Sequence, residues 1–348
     1  MVRALSERLV EGGHQVGIAH GVRSRTPAST RQEISPTVAV YPLPWTRRTV
    51  RAQVTAACAT RRVVNRWRPD IVHLHSSFAG VVGGAVLGGG RVPLVYSPHA
   101  YSFTMAGGSP LRNRAYRALE RLVARRTTVI GAVSPSEARL ARDEVGARRV
   151  MMVENGIPEL DSPRAPRAQQ RARPLVVALG RTSAQRRPEA CARILSQVSD
   201  LAEVRWIGGG AADSQGIAAL QSAGVPVTGW LDRSAALELL VEATVYLHWT
   251  AWDGHPLSVL EAIAEDVVVV ASGIEPNRDL LGPAQTPKSE SEAVAMIRRV
   301  LTDEGERSRL LTAQRERGAR LGADRMAREW ESLYRGLVDE AAARQPRS

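Results

Sequence analysis

The strongest constraint on this chain is an alternation of two kinds of segment. Short, nearly continuous apolar runs such as PDIVHLHS (69–76), VPLVYSPHA (92–100), TTVIGAVS (127–134) and PLVVALG (174–180) read as buried strands. Between them, apolar residues recur at helical spacing. Strands that are apolar on both faces, each followed by a helix, call for parallel sheets covered by helices on both sides. In the first block, Val2, Leu5, Leu9 and Val10 form a helical face, Gly12-Gly13 stops it, and Val16–Ala19 and 37–42 read as strands. An arginine-rich helical segment covers 47–68, a helix covers 111–126, a further helix is capped near Ser134 or Ser136, and VMMVENG (150–156) closes the block. The second block has strands at 174–180, 203–210, 225–230, 244–249 and 266–272, helices at 187–199 and 233–243, another helix opening within 252–262, and a helical remainder. Between the blocks, PELDSPRAPRAQQRAR (158–173) lacks core residues and reads as a linker. The expected organisation is a domain over 1–157, the linker, a domain over 174–325 and a last helical segment over 326–348. The fold class is α/β: two doubly wound domains facing each other across a cleft.

Composition narrows the partners. The 348 residues carry a formal charge of +12. Residues 1–157 hold 23 Arg against 9 carboxylates, whereas the rest is nearly balanced, and Lys288 is the sole lysine. A basic first half suggests an anionic partner such as a phosphate ester, an acidic membrane surface or nucleic acid. No run approaches the roughly 18 apolar residues of a membrane span. The opening MVRALSERLVEGGHQVGIAHG lacks the apolar core of a signal peptide, so a cytoplasmic location is expected. Cys58 and Cys191 are too few and isolated for a disulfide framework or a zinc site and read as small apolar fillers.

The residues with chemistry gather at strand ends, where open parallel sheets bind ligands. Arg181 follows a strand directly and Arg186 lies five residues on; two guanidiniums there can clamp a diphosphate. Gly208 to Gly210 end another strand, where backbone amides can approach a phosphate or nucleoside, although a plain turn fits as well. In WDGHPLSVLEA (252–262), amides near Gly254, His255, Pro256 and Leu257 face out at a helix N-terminus that favours an anion. Asp253 can accept hydroxyls of a sugar, or simply cap the helix, and Glu261 can accept both hydroxyls of a ribose.

Taken together these motifs resemble the group 1 family of retaining, GT-B-fold glycosyltransferases. That family carries an E-x7-E motif, usually E-G-x-G/P-x-x-x-x-E; here it stands as D-G-H-P-L-S-V-L-E-A-I-A, with Asp253 in place of the first Glu. Arg181 matches the family's "GR", Arg186 falls where a Lys is usual, SPHA resembles "TPHG", PDIVHLHS resembles "PDVVHAHS", and VENGI, VTGWL and NRDLL also match. The resemblance covers nearly the whole chain. It implies that Glu261 binds the donor ribose, Asp253 the transferred sugar, and that His99 lies beside the donor sugar. It adds Arg181, Arg186, Gly208, Gly209, Gly254, His255, Pro256 and Leu257 as donor contacts. The donor is a nucleotide-diphosphate sugar held mainly by the C-terminal domain; the acceptor, on the N-terminal domain, is a glycan, a lipid-linked or a small molecule. Neither a metal nor a cofactor is implied, and no Asp-x-Asp pair in suitable context occurs. The resemblance also implies same-face, leaving-phosphate-assisted attack, domain closure, and a last helix with Trp330, Leu333, Tyr334 and Leu337 that crosses back to the N-terminal domain.

Some residues depart from the pattern. Asp253 is one methylene shorter than Glu, setting its carboxylate about 1.5 Å back. AEDVVVVAS lacks the Gly and Pro of "ACGxPVVAS" around Asp266 and Val268, and SGIEPNRD lacks paired glycines. Family members open with a strand and a glycine-rich turn, whereas Met1 already lies in the first helix, so the first strand of the N-terminal domain is expected to be missing, which reads as a start assigned too late or, second, as a damaged first half-domain. His73 and His75 flank a strand, and at least one of them reads more simply as structural. The arginine-rich 47–68 segment reads as a solvated face, or as the part of a peripheral protein that meets the inner face of the membrane. A GT-B sugar-nucleotide epimerase, an inactive sugar-nucleotide-binding remnant and a nucleic-acid binder remain open; the last lacks aromatic stacking or recognition-helix motifs, so nucleic acid is not an expected partner.

Overall fold

The computed structural model describes residues 1–21, 34–43, 49–105, 109–157, 171–210 and 215–344. Backbone contacts divide the chain into two units: Met1–Thr104 and Gly108–Gly156 with Ala323–Ser348, and a second unit built on Ile157–Gly322. Among the described residues no helix is long and apolar enough to cross a membrane.

The first unit contains helix α1 (Val2–Glu11), strands β1 (Gly17–Gly21) and β2 (Ala39–Leu43), α2 (Val50–Trp67), β3 (Val72–His75), α3 (Ser77–Leu87), β4 (Leu94–Ser97), α4 (Pro110–Arg126), β5 (Val129–Ala132), α5 (Pro135–Asp143) and β6 (Val150–Met152). All pairings are parallel. The strands form a pair, β1-β2, and a separate sheet ordered β3-β4-β5-β6. No ladder joins β1 to β3 among the described residues. β4 is buried on both faces: Val95 points into one core and Tyr96 into the other. Helices α2 and α4 pack on either side of α3 in one layer. On the opposite face lies α13 (Ala323–Ala343), whose Met326, Trp330, Leu333 and Leu337 share a core with Leu5, Val95, Val129 and Val153. This is the crossover helix of the expected fold, and Gly131 makes room for it. A Cβ on Gly131 would stand 2.2 Å from the Trp330 ring.

Helix α3 was not evident in SFAGVVGGAVLGGG, because glycine disfavours helices. Here packing decides. A side chain on Gly80 would strike the Tyr96 ring at 2.5 Å and one on Gly83 would strike Leu74 at 2.5 Å, so the glycines let α3 lie close on the sheet.

The second unit has β7 (Leu175–Leu179), α6 (Pro188–Ser196), β8 (Glu203–Ile207), α7 (Gln215–Ser222), α8 (Arg233–Val241), β9 (Val245–His248), α9 (Leu257–Ala264), β10 (Val268–Ala271), α10 (Glu275–Leu281), α11 (Glu290–Thr302) and α12 (Glu304–Gly318). Its parallel sheet is ordered β10-β9-β7-β8. Alternate residues feed two cores. Val176 and Ala178 pack with α6 and α11, while Leu175 and Val177 pack with α8 and α9. The chain leaves β7 toward β8 and then returns past it to β9, so the direction of winding reverses between β7 and β9, which is where such sheets open a crevice.

Three boundaries differ from expectation. Residues 225–230 do not form a strand; they make isolated bridges, Val227 to Trp206 and Gly229 to Gly208. Pro226 cannot donate to a ladder, and Gly224 and Gly229 turn the chain at φ 71° and 76°. The linker expected to reach 173 ends earlier. Residues 158–170 lie outside the described residues, but Arg171 pairs with Glu203 at 2.6 Å and Glu242 at 2.9 Å, and Arg173 donates to the Ser199 and Asp200 carbonyls. The helix expected from 326 begins at Ala323.

Candidate functional site

The carboxyl ends of β7 and β8 are shaped by two glycines. Gly180 sits at φ 141° and Gly208 at φ 120°, and a Cβ on Gly208 would lie 2.3 Å from the Gly180 carbonyl oxygen. No other residue allows both the backbone angle and the approach. The Gly180 amide donates to the Ile207 carbonyl at 2.9 Å and the Thr182 amide to the Gly209 carbonyl at 3.1 Å, which ties the two strand ends together. Beside them opens a cavity of 330 Å³ lined by Gly180, Arg181, Arg186, Gly208, Trp230 and Leu231, among others. Trp230 is 62% exposed, an unusual cost for an indole in water.

Arg186 reaches from the loop after β7 to the loop after β9. Its Nη1 donates to Asp253 Oδ2 at 3.0 Å and lies 3.4 Å from His248 Nε2. His248, the last residue of β9, is buried, as is Tyr246 on the same face of the strand. Tyr246 Oη lies 2.8 Å from His248 Nδ1 and 2.8 Å from Ser258 Oγ. A neutral His248 accepting the tyrosyl proton at Nδ1 keeps its proton on Nε2, which faces Asp253 Oδ2 at 3.5 Å. Burial holds the His248 pKa below its ordinary value and outweighs the pull of Asp253. At Asp253 burial acts upward, but the His248 hydrogen bond, the Arg186 charge and the Gly254 amide at 2.9 Å overcome it and hold the carboxyl below the usual range. With His248 neutral, the guanidinium is the cation that matters there. Asp253 is thus ionised, partly buried and bonded to Arg186.

Helix α9 begins at Leu257, with Pro256 as its N-cap and no side-chain cap. Its first amides have no partner within the helix by construction. Gly254, His255 and Pro256 are buried and Leu257 is 40% exposed. Glu261, one turn on, is ion-paired with Arg233, the first residue of α8.

The second unit therefore brings together most of the residues expected from the sequence. Arg181, Arg186 and Gly208 line one cavity, Gly209 packs on the Gly229–Trp230 backbone, and Asp253 joins the cavity through Arg186. Trp230, Arg233, Tyr246, His248 and Ser258 were not singled out. A tryptophan after a turn glycine, and a histidine closing an otherwise apolar strand, were the signals available for two of them.

His99 belongs to the first unit. It follows β4 at φ 53° and Ala100 sits at φ 77°, left-handed angles that cost a non-glycine residue energy. Glu137 on α5 holds them: Oε1 accepts the Ala100 amide at 2.7 Å and Oε2 the Val133 amide at 2.8 Å. His99 Nε2 lies 2.9 Å from His75 Nδ1. His73 bridges β4 and α13. Its Nε2 donates to Ser97 Oγ at 2.9 Å and its Nδ1 accepts from Tyr334 of α13 at 2.6 Å.

The family model for Glycosyltransferase Family 4 matches residues 1–159, and that for Glycosyl transferases group 1 matches residues 184–317. The chain belongs to the group 1, family 4 glycosyltransferases. The fold is GT-B. A sucrose-phosphate synthase from Thermosynechococcus elongatus superposes with a TM-score of 0.82 at 19% identity, over 97% of this chain and 93% of that one. Anabaena HepE, solved in complex with UDP, gives 0.70 at 15% identity, over 91% and 92%. A Klebsiella pneumoniae protein described as an uncharacterized 41.2 kDa protein in the cps region is 23% identical over 218 residues, 59% of this chain and 60% of that protein, so the chain spans three fifths of this relative.

Proposed function

We propose that this glycosyltransferase moves a hexose from a nucleotide-diphosphate sugar to an acceptor hydroxyl with retention of configuration. The observation that carries the reading is the cavity at the reversal between β7 and β9, where Arg181 and Arg186 meet the glycine-edged strand ends. Two guanidiniums and the amides opening α9 would neutralise a leaving diphosphate as its charge develops. The exposed face of Trp230 offers a surface for the base, and HepE, solved with UDP, makes a uridine donor a reasonable first trial. Glu261 would leave Arg233, itself 54% exposed, to accept the ribose hydroxyls. Asp253 would accept a hydroxyl of the transferred sugar, and His99 would stand beside that sugar. Gly209 and Gly254 to Leu257 would line the donor path. The acceptor is a glycan, a lipid-linked or a small-molecule hydroxyl.

The test is calorimetric titration of UDP- and GDP-sugars, followed by turnover with candidate acceptors, on the parent and on Glu261→Ala and Arg181→Ala. Each variant should lose at least about tenfold in donor affinity or turnover. Retention of both would sink the assignment, and an epimer appearing without acceptor would replace transfer by epimerisation.

A further inference from the structure

His248 lies behind the diphosphate crevice rather than in it. Its side chain is 1% exposed, against 23% for Arg186 and 15% for Asp253. A ligand in the cavity meets Arg186, which lines it, and not the imidazole.

Backbone bonds fix the frame around the ring. His248 pairs with Ala271 in the β9–β10 ladder, and its carbonyl accepts the Ser272 amide at 3.1 Å. Ser272 Oγ donates to the Thr250 carbonyl at 2.7 Å and accepts the Thr250 amide at 3.1 Å. Gln185 ties the loop after β7 to the loop after β9. Its carbonyl accepts the Ala251 amide and Thr250 Oγ1, both at 2.8 Å, and its Nε2 donates to the Trp252 carbonyl at 3.0 Å. With both loops stitched, the Arg186 side chain is the part that can change partners.

Two placements of the protons satisfy the ring. In the first, His248 Nε2 donates toward Asp253 Oδ2 at 3.5 Å, Nδ1 accepts the Tyr246 hydroxyl at 2.8 Å, and Tyr246 Oη accepts from Ser258 Oγ at 2.8 Å. In the second, every proton is shifted: Nδ1 donates to Tyr246, Tyr246 donates to Ser258, and a bare Nε2 accepts from Arg186 Nη1 at 3.4 Å. The second placement needs Arg186. Once a diphosphate draws that guanidinium away, a bare Nε2 would face the carboxylate lone pair to lone pair, and Asp253 would keep only the Gly254 amide at 2.9 Å. A partly buried carboxylate stripped of its cation is costly, and a donor at Oδ2 offsets part of that cost.

We propose that His248 is a positioning residue that takes over Asp253 when the donor diphosphate engages Arg186. Its Nε2–H, set by the Tyr246–Ser258 hydroxyl pair at the other ring nitrogen, keeps the carboxylate ionised and aimed at the transferred sugar. This role rests on the donor-site reading of Arg186 and Asp253. A hydrogen bond at one imidazole nitrogen decides what the other can do, so Tyr246 selects the tautomer that Asp253 needs. Burial holds the ring neutral, so it works as a hydrogen-bond donor rather than as a charge. The imidazole touches neither sugar nor phosphate.

The test joins spectroscopy to kinetics. Long-range 1H–15N spectra of the imidazoles are recorded on the whole protein alone, with inorganic diphosphate and with UDP, His248 being assigned by its loss in His248→Gln. Both bound forms should carry the proton on Nε2 with Nδ1 as an acceptor, and Tyr246→Phe should spread the proton over both nitrogens. His248→Leu should hold UDP affinity within about threefold while turnover of the UDP- or GDP-sugar that the protein binds falls at least about tenfold. His248→Gln, which keeps an N–H near the Nε2 position, should recover turnover to within about threefold of the parent. Because His248 acts through Asp253, adding His248→Leu to Asp253→Asn should cost less than about a further threefold. If His248→Leu fails to fold, Tyr246→Phe carries the kinetic arm, with turnover falling about three- to tenfold at unchanged UDP affinity. A bare Nε2 in the diphosphate-bound protein, parent-like turnover of the folded variant, equal losses of affinity and turnover, or additive losses in the double variant would each overturn the proposal alone. A parent that binds neither diphosphate nor UDP would instead fell the donor-site reading, and this role with it.

Discussion

Asp253 and Arg186 hold each other, and this pairing makes a prediction that separates binding from chemistry. A diphosphate reaching Arg186 must compete with the Asp253 carboxylate 3.0 Å away. Asp253→Asn removes the competing charge, so UDP affinity should hold or rise by up to about tenfold, while turnover should fall at least about a hundredfold if the carboxylate contacts the sugar. Calorimetry beside steady-state kinetics measures the split; equal losses in both would reduce Asp253 to a structural role. Glu137 gives a pH signature. Burial pushes its carboxyl up to about 7, against the two amides that favour the charged form. Between the ordinary carboxylate pKa and about 7 the native state binds the extra proton, so its contribution to stability is present at low pH and is lost as pH rises through that window. His73 and His75 act in the opposite sense: burial first, and neighbouring imidazoles second, hold their pKa values well below normal. Their contribution is present above the unfolded histidine value and is lost as pH falls. Urea unfolding of the parent and Glu137→Gln across this range should therefore diverge by on the order of 1–3 kcal/mol, the parent losing more as pH rises.

Among the elements, α13 depends on a missing side chain in β5. Gly131→Ala places a methyl group into the Trp330 ring and should destabilise the protein by about 1–3 kcal/mol. Trp330→Ala, at a fully buried position, should cost about 3–5 kcal/mol. Denaturant midpoints measure both. The same residues show why some elements were legible and others not. The strands 69–76, 127–134 and 174–180 could be read because a doubly buried strand must be apolar at nearly every position. Helix α3 could not, because its glycines answer to Tyr96 and Leu74, partners distant in sequence. Residues 225–230 misled for the converse reason: an apolar run with a proline and a left-handed glycine, preceded by another at Gly224, has strand composition without strand geometry. In the candidate site, Arg181, Arg186, Asp253 and Glu261 were found through motif spacing. His248 and Tyr246 are contacts of contacts, and no spacing rule reaches them.

At the scale of the whole molecule, each unit owns a two-sided core, and the clusters of the second draw only on Ile157–Leu321. A chain of residues 157–322 should therefore unfold in one cooperative transition and keep UDP affinity within about tenfold of the parent, provided the donor site is the one assigned. Thermal melts with and without UDP check this. The charge asymmetry legible in composition takes a location in the structure, since α2 and α4 place their arginines on one layer of the first unit.

The break between β1-β2 and the four-stranded sheet has a consequence for how the first unit comes apart. A two-stranded parallel ribbon has little cooperativity of its own. In a deuterium-uptake experiment, Gly17–Gly21 and Ala39–Leu43 should exchange well before Leu94–Ser97, revealing a fray that global melting curves would average away.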